Sequence, residues 1–211
     1  MTSDQLPDWV TWQSRPFPDA NLLLLPGREP AMVDSGFVGH AEDTAAWARA
    51  HAGRIALVVN THWHSDHVGG NSLLQARGAA VAAAAPDADA LTRRDPGCCL
   101  AEYLDQPVAP YTVDQPLHAA QVLRLGEADW QVVATPGHTP GHLCLWEPEE
   151  CLLAVGDALS DLRPRALLTA HGRCPPIPAP GSTPRYAEPN GSSTTPPARS
   201  GTAPGASWRS P

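Results

Sequence analysis

The run His62-Trp63-His64-Ser65-Asp66-His67 places three imidazoles and a carboxylate within six residues. Residues two apart on extended chain point the same way. His62 and His64 can therefore grip one metal ion, while Asp66 and His67, where the chain turns into a helix, can face a second. Imidazole with carboxylate suits zinc, and also iron or manganese. A second cluster supplies further donors: Thr135-Pro136-Gly137-His138-Thr139-Pro140-Gly141-His142 follows one apolar strand, and Gly156-Asp157 ends another. His171 stands after a last short strand, in Ala170-His171-Gly172. The candidate metal ligands are thus His62, His64, Asp66, His67, His138, Asp157 and His171, with Asp157 read as a bridging carboxylate. His142 opens a strand and is assigned a structural role, while His40, His51 and His118 are read as surface or packing residues.

The elements that must position these donors follow from apolar periodicity and turn chemistry. Asn21–Leu25 and Ala31–Asp34 read as strands joined by Pro26-Gly27-Arg28-Glu29-Pro30. Glu42–His51 reads as a helix stopped by Gly53. Ile55–Val59 is a continuous apolar run, as expected for a strand covered on both faces, and the histidine run leaves its C-terminal end. Gly70–Arg77 reads as a helix, Ala79–Ala83 as a strand, and Pro86-Asp87-Ala88-Asp89 as the opening of another helix. Residues 96–118 read as mostly irregular. Strands are expected at 121–125, 130–134, 143–146, 151–155 and 166–169. Every candidate ligand then sits at a strand's C-terminal edge.

In this order the motifs resemble the metallo-β-lactamase superfamily, and glyoxalase II-like enzymes in particular, from about Asn21 to Gly172. Val33-Asp34-Ser35-Gly36 stands where that family has a strand ending in Asp-x-Gly. The resemblance implies an α/β fold, the four-layer αβ/βα sandwich, with the site along one sheet edge. It implies two zinc ions per chain: His62, His64 and His138 hold the first, Asp66, His67 and His171 the second, and Asp157 bridges them. His67 points away from the commonest zinc β-lactamases, which carry Arg or Cys there, and toward the broader hydrolases. The implied activity is hydrolysis of a small thioester, ester or lactone by a hydroxide shared between cations roughly 3.5–4 Å apart. Asp66 is the implied catalytic residue, orienting the hydroxide and passing its proton to the leaving group. The alternatives are a mononuclear iron persulfide dioxygenase-like enzyme and a truncated, inactive metal-binding remnant.

One departure from the family pattern motivates the remnant reading. Only thirteen residues separate Asp157 from His171, where the family places a long helix-containing segment. A parallel crossover needs roughly a dozen residues or more, usually with a helix. The spacing reads as an internal deletion that removes a helix near the C-terminus. The domain is expected to span residues 1–172. Ten of the 39 residues from Arg173 onward are proline, and that tail reads as disordered and aberrant, because it has too little apolar surface to offset its ordering entropy.

Composition narrows the partners. Residues 1–172 carry 10 basic and 21 acidic side chains, a balance of −11 that repels a phosphate backbone and disfavours nucleic acid. No apolar run is long enough to span a bilayer. Met1-Thr2-Ser3-Asp4 does not open a secretion signal, so a cytoplasmic location is expected. Five cysteines at no framework spacing read as reduced thiols. A small-molecule substrate is the expected partner.

Overall fold

The computed structural model describes residues 6–93, 97–100, 105–157 and 166–169. His171, the segment 158–165, Cys174 and the tail 173–211 lie outside the described residues, and so do the expectations that fall on them.

Among the described residues, eleven strands form two sheets. The first contains β1 (Thr11–Gln13), β2 (Leu22–Leu25), β3 (Ala31–Val33), β4 (Leu57–Val59), β5 (Ala80–Ala84) and β6 (Gln115–Leu117), side by side in that order. β1, β2 and β3 pair antiparallel, whereas β3, β4, β5 and β6 run parallel. The second sheet has the order β11-β10-β9-β8-β7, with β7 (Val122–Leu125), β8 (Ala128–Ala134), β9 (Leu143–Glu147), β10 (Leu152–Gly156) and β11 (Ala166–Thr169). Its pairs are antiparallel except β10 with β11.

Period-two alternation divides each strand between two packing layers. Leu23, Leu25, Ala31, Val33, Val59 and Ala82 of the first sheet meet Leu123, Leu125, Trp130, Val132, Leu143, Leu145 and Leu152 of the second in one core. The alternate residues Leu22, Leu24, Met32 and Val58 face the opposite way. They pack with Ala45 and Ala48 of α1 (Ala41–Ala52) and Leu74 of α3 (Asn71–Ala76). β2 is consequently leucine throughout and buried throughout. Among the described residues these supply three of the four expected layers: helices, sheet and sheet.

The α1 boundaries follow from charge and glycine. Glu42 and Asp43 lie in its first turn and Arg49 and His51 in its last, each sign complementing the helix dipole. Gly53, at φ +74°, closes it with an N–H donated to the Arg49 carbonyl at 3.0 Å. Two further helices matter for the site: α2 (Ser65–Val68) and α4 (Ala85–Arg93).

The strands β1 and β6 were not anticipated. Both have three residues and form the two edges of the first sheet. An edge position tolerates Pro116 inside β6, where a central strand would lose a ladder bond. No disulfide joins the described cysteines, and no helix among the described residues is long and apolar enough to cross a membrane.

Candidate metal centre

Strand β4 ends at Val59, and the chain runs on through Asn60 and Thr61 into His62, placing the histidine run at the sheet edge. Backbone hydrogen bonds fix its path. Asn60 N–H donates to the Ala82 carbonyl (2.8 Å), and Leu143 N–H donates to the Thr61 carbonyl (2.9 Å), which ties the first sheet to the second. His64 is extended (φ −64°, ψ 150°), and α2 begins at Ser65.

Two glycines allow α2 to lie against the loop after β3. A Cβ on Gly69 would fall 2.3 Å from Val38 N and 2.8 Å from the Gly36 carbonyl, and one on Gly70 would fall 2.6 Å from the Ser35 carbonyl. Those are backbone atoms, which cannot rotate aside. Ser35 N–H then donates to the His67 carbonyl at 2.7 Å.

The side chains converge. His62 Nε2 lies 3.0 Å from His64 Nδ1. Asp157, directly after β10, sets Oδ2 3.2 Å from His138 Nε2 and 3.9 Å from His62 Nε2. Its other oxygen, Oδ1, lies 3.4 Å from His67 Nε2, and Asp66 Oδ2 lies 3.7 Å from that same nitrogen. The Asp157 carboxylate thus stands between two donor sets, one from each end of the histidine run. Six of the seven sequence candidates meet here, and the seventh, His171, lies outside the described residues. His62 and His67 are buried, His64 and Asp157 partly so, and His138 is exposed, so the cluster opens to solvent on the His138 side.

The donor set fits a transition metal. One ligand atom each from His62, His64, His138 and Asp157 lies within 4.8 Å of every other. Zn–N and Zn–O bonds of about 2.0–2.2 Å in a tetrahedron put neighbouring ligand atoms roughly 3.4 Å apart. The observed separations of 3.0, 3.2 and 3.9 Å bracket that value.

Electrostatics favour lone pairs at the first set. Burial, reinforced by the neighbouring His67, holds the His62 imidazole well below its ordinary pKa. Burial and His138 push His64 down to about 4. Both rings are neutral at pH 7. His67 behaves oppositely: burial opposes its charge, yet Asp34 and Asp157 outweigh burial and raise its pKa well above the ordinary value.

Three supporting residues were not read as functional from the sequence. Asp34, in the left-handed region at φ +59°, accepts the Thr61 N–H, the Thr61 hydroxyl and His67 Nδ1, each at 2.8 Å. Short polar side chains tolerate that backbone region. The Asp-x-Gly pattern was visible; its partners were not. Thr61 is the second, with Oγ1 also 3.1 Å from His62 Nδ1. His142, expected to be structural, accepts the Asp157 N–H through Nε2 at 3.3 Å, while its Nδ1 lies 2.8 Å from Thr135 Oγ1. Burial lowers its pKa to about 4, which keeps Nε2 an acceptor. Gly156, at φ +52°, makes the approach possible, since a Cβ there would meet Thr61 Oγ1 at 2.6 Å and His142 Nε2 at 2.9 Å. His40, His51 and His118 lie apart from the cluster: His40 Nδ1 pairs with Asp19, His51 Nδ1 with the Trp47 carbonyl, and His118 is exposed.

Comparison with known proteins agrees with this architecture. A family model described as the metallo-beta-lactamase superfamily matches residues 17–197. The hydroxyacylglutathione hydrolase of Methylococcus capsulatus is 35% identical over 143 residues, covering 65% of this chain and 46% of that protein. The enzyme of the same name from Rhodobacter capsulatus is 41% identical over 103 residues, covering 48% and 33%. The chain therefore spans less than half the length of these curated relatives. Among solved structures, the BLEG-1 B3 metallo-beta-lactamase superposes with a TM-score of 0.66 at 22% identity, covering 80% of this chain and 94% of that one. A metallo-beta-lactamase family protein from Thermus thermophilus gives 0.63 at 21% identity, covering 79% and 73%. At such identities the structural likeness concerns the fold.

Proposed function

The chain belongs to the metallo-beta-lactamase superfamily, and from that premise we propose that it is a metal-dependent hydrolase of a small thioester, ester or lactone, holding two zinc ions. The observation that carries this reading is the Asp157 carboxylate, with Oδ2 toward His62 and His138 and Oδ1 toward His67. A single carboxylate so placed suits a bridge between two cations. Thioesters come first among the substrates because the curated relatives are named hydroxyacylglutathione hydrolases.

In this proposal His62, His64, His138 and Asp157 hold the first ion. Asp66, His67, Asp157 and His171 hold the second. Bound zinc supplies a Lewis acid for the substrate carbonyl and a water acidified to near-neutral pKa. The chain's own residues do the rest. His62 and His64, neutral at pH 7, offer lone pairs without first losing a proton. Asp34 holds His67 by Nδ1, leaving Nε2 directed at Asp157. Asp66 orients the attacking water with a carboxylate oxygen and delivers the proton to the departing sulfur or oxygen. No serine or cysteine nucleophile is required. The exposed edge at His138 admits the substrate.

The test is turnover of a panel of acyl thioesters, esters and lactones by the full chain, metal-replete and metal-stripped, beside His62→Ala. Turnover that zinc restores, and that His62→Ala abolishes, supports the proposal. Folded protein with bound zinc and no turnover on any of the panel overturns it.

A further inference from the structure

Cys98 and Cys99 are neighbours in the short turn Cys98–Leu100, and their Sγ atoms lie 3.9 Å apart. On extended chain, adjacent side chains point to opposite faces, so two consecutive thiols do not ordinarily meet. Here the backbone turns them together. Cys99 sits in the left-handed region (φ 71°, ψ −13°), and Gly97 before the pair is left-handed too, at φ +76°. A residue with a side chain keeps that conformation only where its surroundings hold it there. The turn packs against α2, and farther along the chain Gln106, itself buried, accepts the hydroxyl of Ser65 in α2 at 2.8 Å.

Two chemistries are open to neighbouring thiols, and the geometry separates them. A disulfide usually joins Cα atoms about 4.4–6.8 Å apart, whereas consecutive Cα atoms stand only about 3.8 Å apart. Joining the sulfurs through a third atom relieves that constraint. Two sulfurs on one centre at about 2.3 Å, the length of a zinc–thiolate bond, lie roughly 3.8 Å apart at the tetrahedral angle. The 3.9 Å separation of Cys98 and Cys99 matches that bite. The centre must bring its remaining ligands with it, because among the described residues no third His, Cys, Asp or Glu completes a metal-binding group with the pair. Structural zinc takes four protein donors. A monosubstituted trivalent arsenical needs two, its third bond being already made to carbon. Cys98 is partly exposed and gives entry, while Cys99 is buried.

We propose that Cys98 and Cys99 form a vicinal dithiol site that captures monosubstituted trivalent arsenicals and uses none of the metal-centre ligands. With an arsenoso compound, R–As=O, both S–H bonds break and two S–As bonds form. The two protons and the oxygen leave as water, and no atom changes oxidation state. Closure of the second S–As bond is intramolecular, at the high effective concentration that the turn sets.

The experiment titrates the reduced full chain with phenylarsine oxide, beside Cys98→Ser, Cys99→Ala and the control Cys151→Ser/Cys174→Ser, whose one thiol outside the pair is the buried Cys144. Intact mass counts the adducts, peptide mapping places them, and Tm reports binding to the folded chain. The expected result is one phenylarsenic group per chain, bonded to Cys98 and Cys99, resistant to excess glutathione and released by a dithiol. The control keeps it, and Cys98→Ser and Cys99→Ala bind about 100-fold more weakly or less. Tm rises, because the folded turn presets a bite that the unfolded chain must find. If Cys99→Ala does not fold, Cys98→Ser, at the partly exposed position, decides alone. No adduct, an adduct at another cysteine, wild-type affinity in folded Cys98→Ser, or an unchanged Tm each overturns the proposal.

Discussion

Replacing Asp34 by asparagine changes one atom and should strip the Nδ1 proton from His67. The Thr61 N–H is an obligate donor to Oδ1 (2.8 Å), so the amide oxygen of the substituted side chain must take that position. The amide NH2 then replaces Oδ2, which now faces the Thr61 hydroxyl and His67 Nδ1, both at 2.8 Å. The hydroxyl can turn and accept. His67 Nδ1 can accept only by losing its proton, which forces the remaining proton onto Nε2, the nitrogen facing Asp157 and Asp66. A protonated Nε2 cannot bind metal. The second ion should then bind about 10–100-fold more weakly, equivalent to about 1.4–2.8 kcal/mol. Loss of a charged hydrogen-bond partner should also destabilise the metal-free fold by about 1.5–3 kcal/mol. Long-range nitrogen-15 spectra read the tautomer without metal, and competition against a chromophoric chelator reads each zinc step. The reasoning is refuted if Asp34→Asn keeps the Nδ1-protonated ring, or if both zinc steps match wild type.

Other expectations concern pH, metal and packing. In metal-free protein, His64 and His142, depressed to about 4, contribute stability that is present above pH 6.5 and lost as pH falls through 4. Asp87, raised to about 6, has the opposite sign: its contribution is fully present below about 3.8 and lost as pH rises through 6. The stability of wild type relative to Asp87→Asn should therefore fall by about 3 kcal/mol between about pH 3.5 and 7, read by urea unfolding; a flat difference contradicts the burial of that carboxylate. Zinc at about a hundred times its Kd should stabilise the fold by about 2.7 kcal/mol, and His62→Ala should abolish most of the accompanying rise in Tm. Gly69→Ala should cost about 1–3 kcal/mol or more, because its methyl meets the backbone of Val38 and Gly36; unchanged urea unfolding would contradict that packing. Trp130→Ala, at a fully buried site in edge contact with Trp9 (6.3 Å between ring centroids), should cost about 3–5 kcal/mol in the same measurement.

Local information sufficed for much of this protein. Helix α1 announced itself by its apolar face and Gly53, and the buried strands by apolar runs of the right length. The histidine run was legible because its members lie within six residues, where chain geometry alone fixes their relative direction. The edge strands β1 and β6 were not legible: three residues carry too little periodicity, and each is defined by its neighbour in the sheet.

The supporting residues show the boundary most clearly. Asp34 meets Thr61 and His67 across 27 and 33 residues, and Asp87 meets Thr139 across 52. Nothing in the types Asp, Thr or Gly says which distant loop will supply a partner. His142 differs from His138 by four positions in one motif, yet one ring faces Asp157 Oδ2 and the other accepts the Asp157 amide. The sequence alone determined which donors exist and at which strand ends they emerge. Only the packing of one sheet on the other decided which of them face each other, because ring orientation and proton placement depend on neighbours that sequence separation hides.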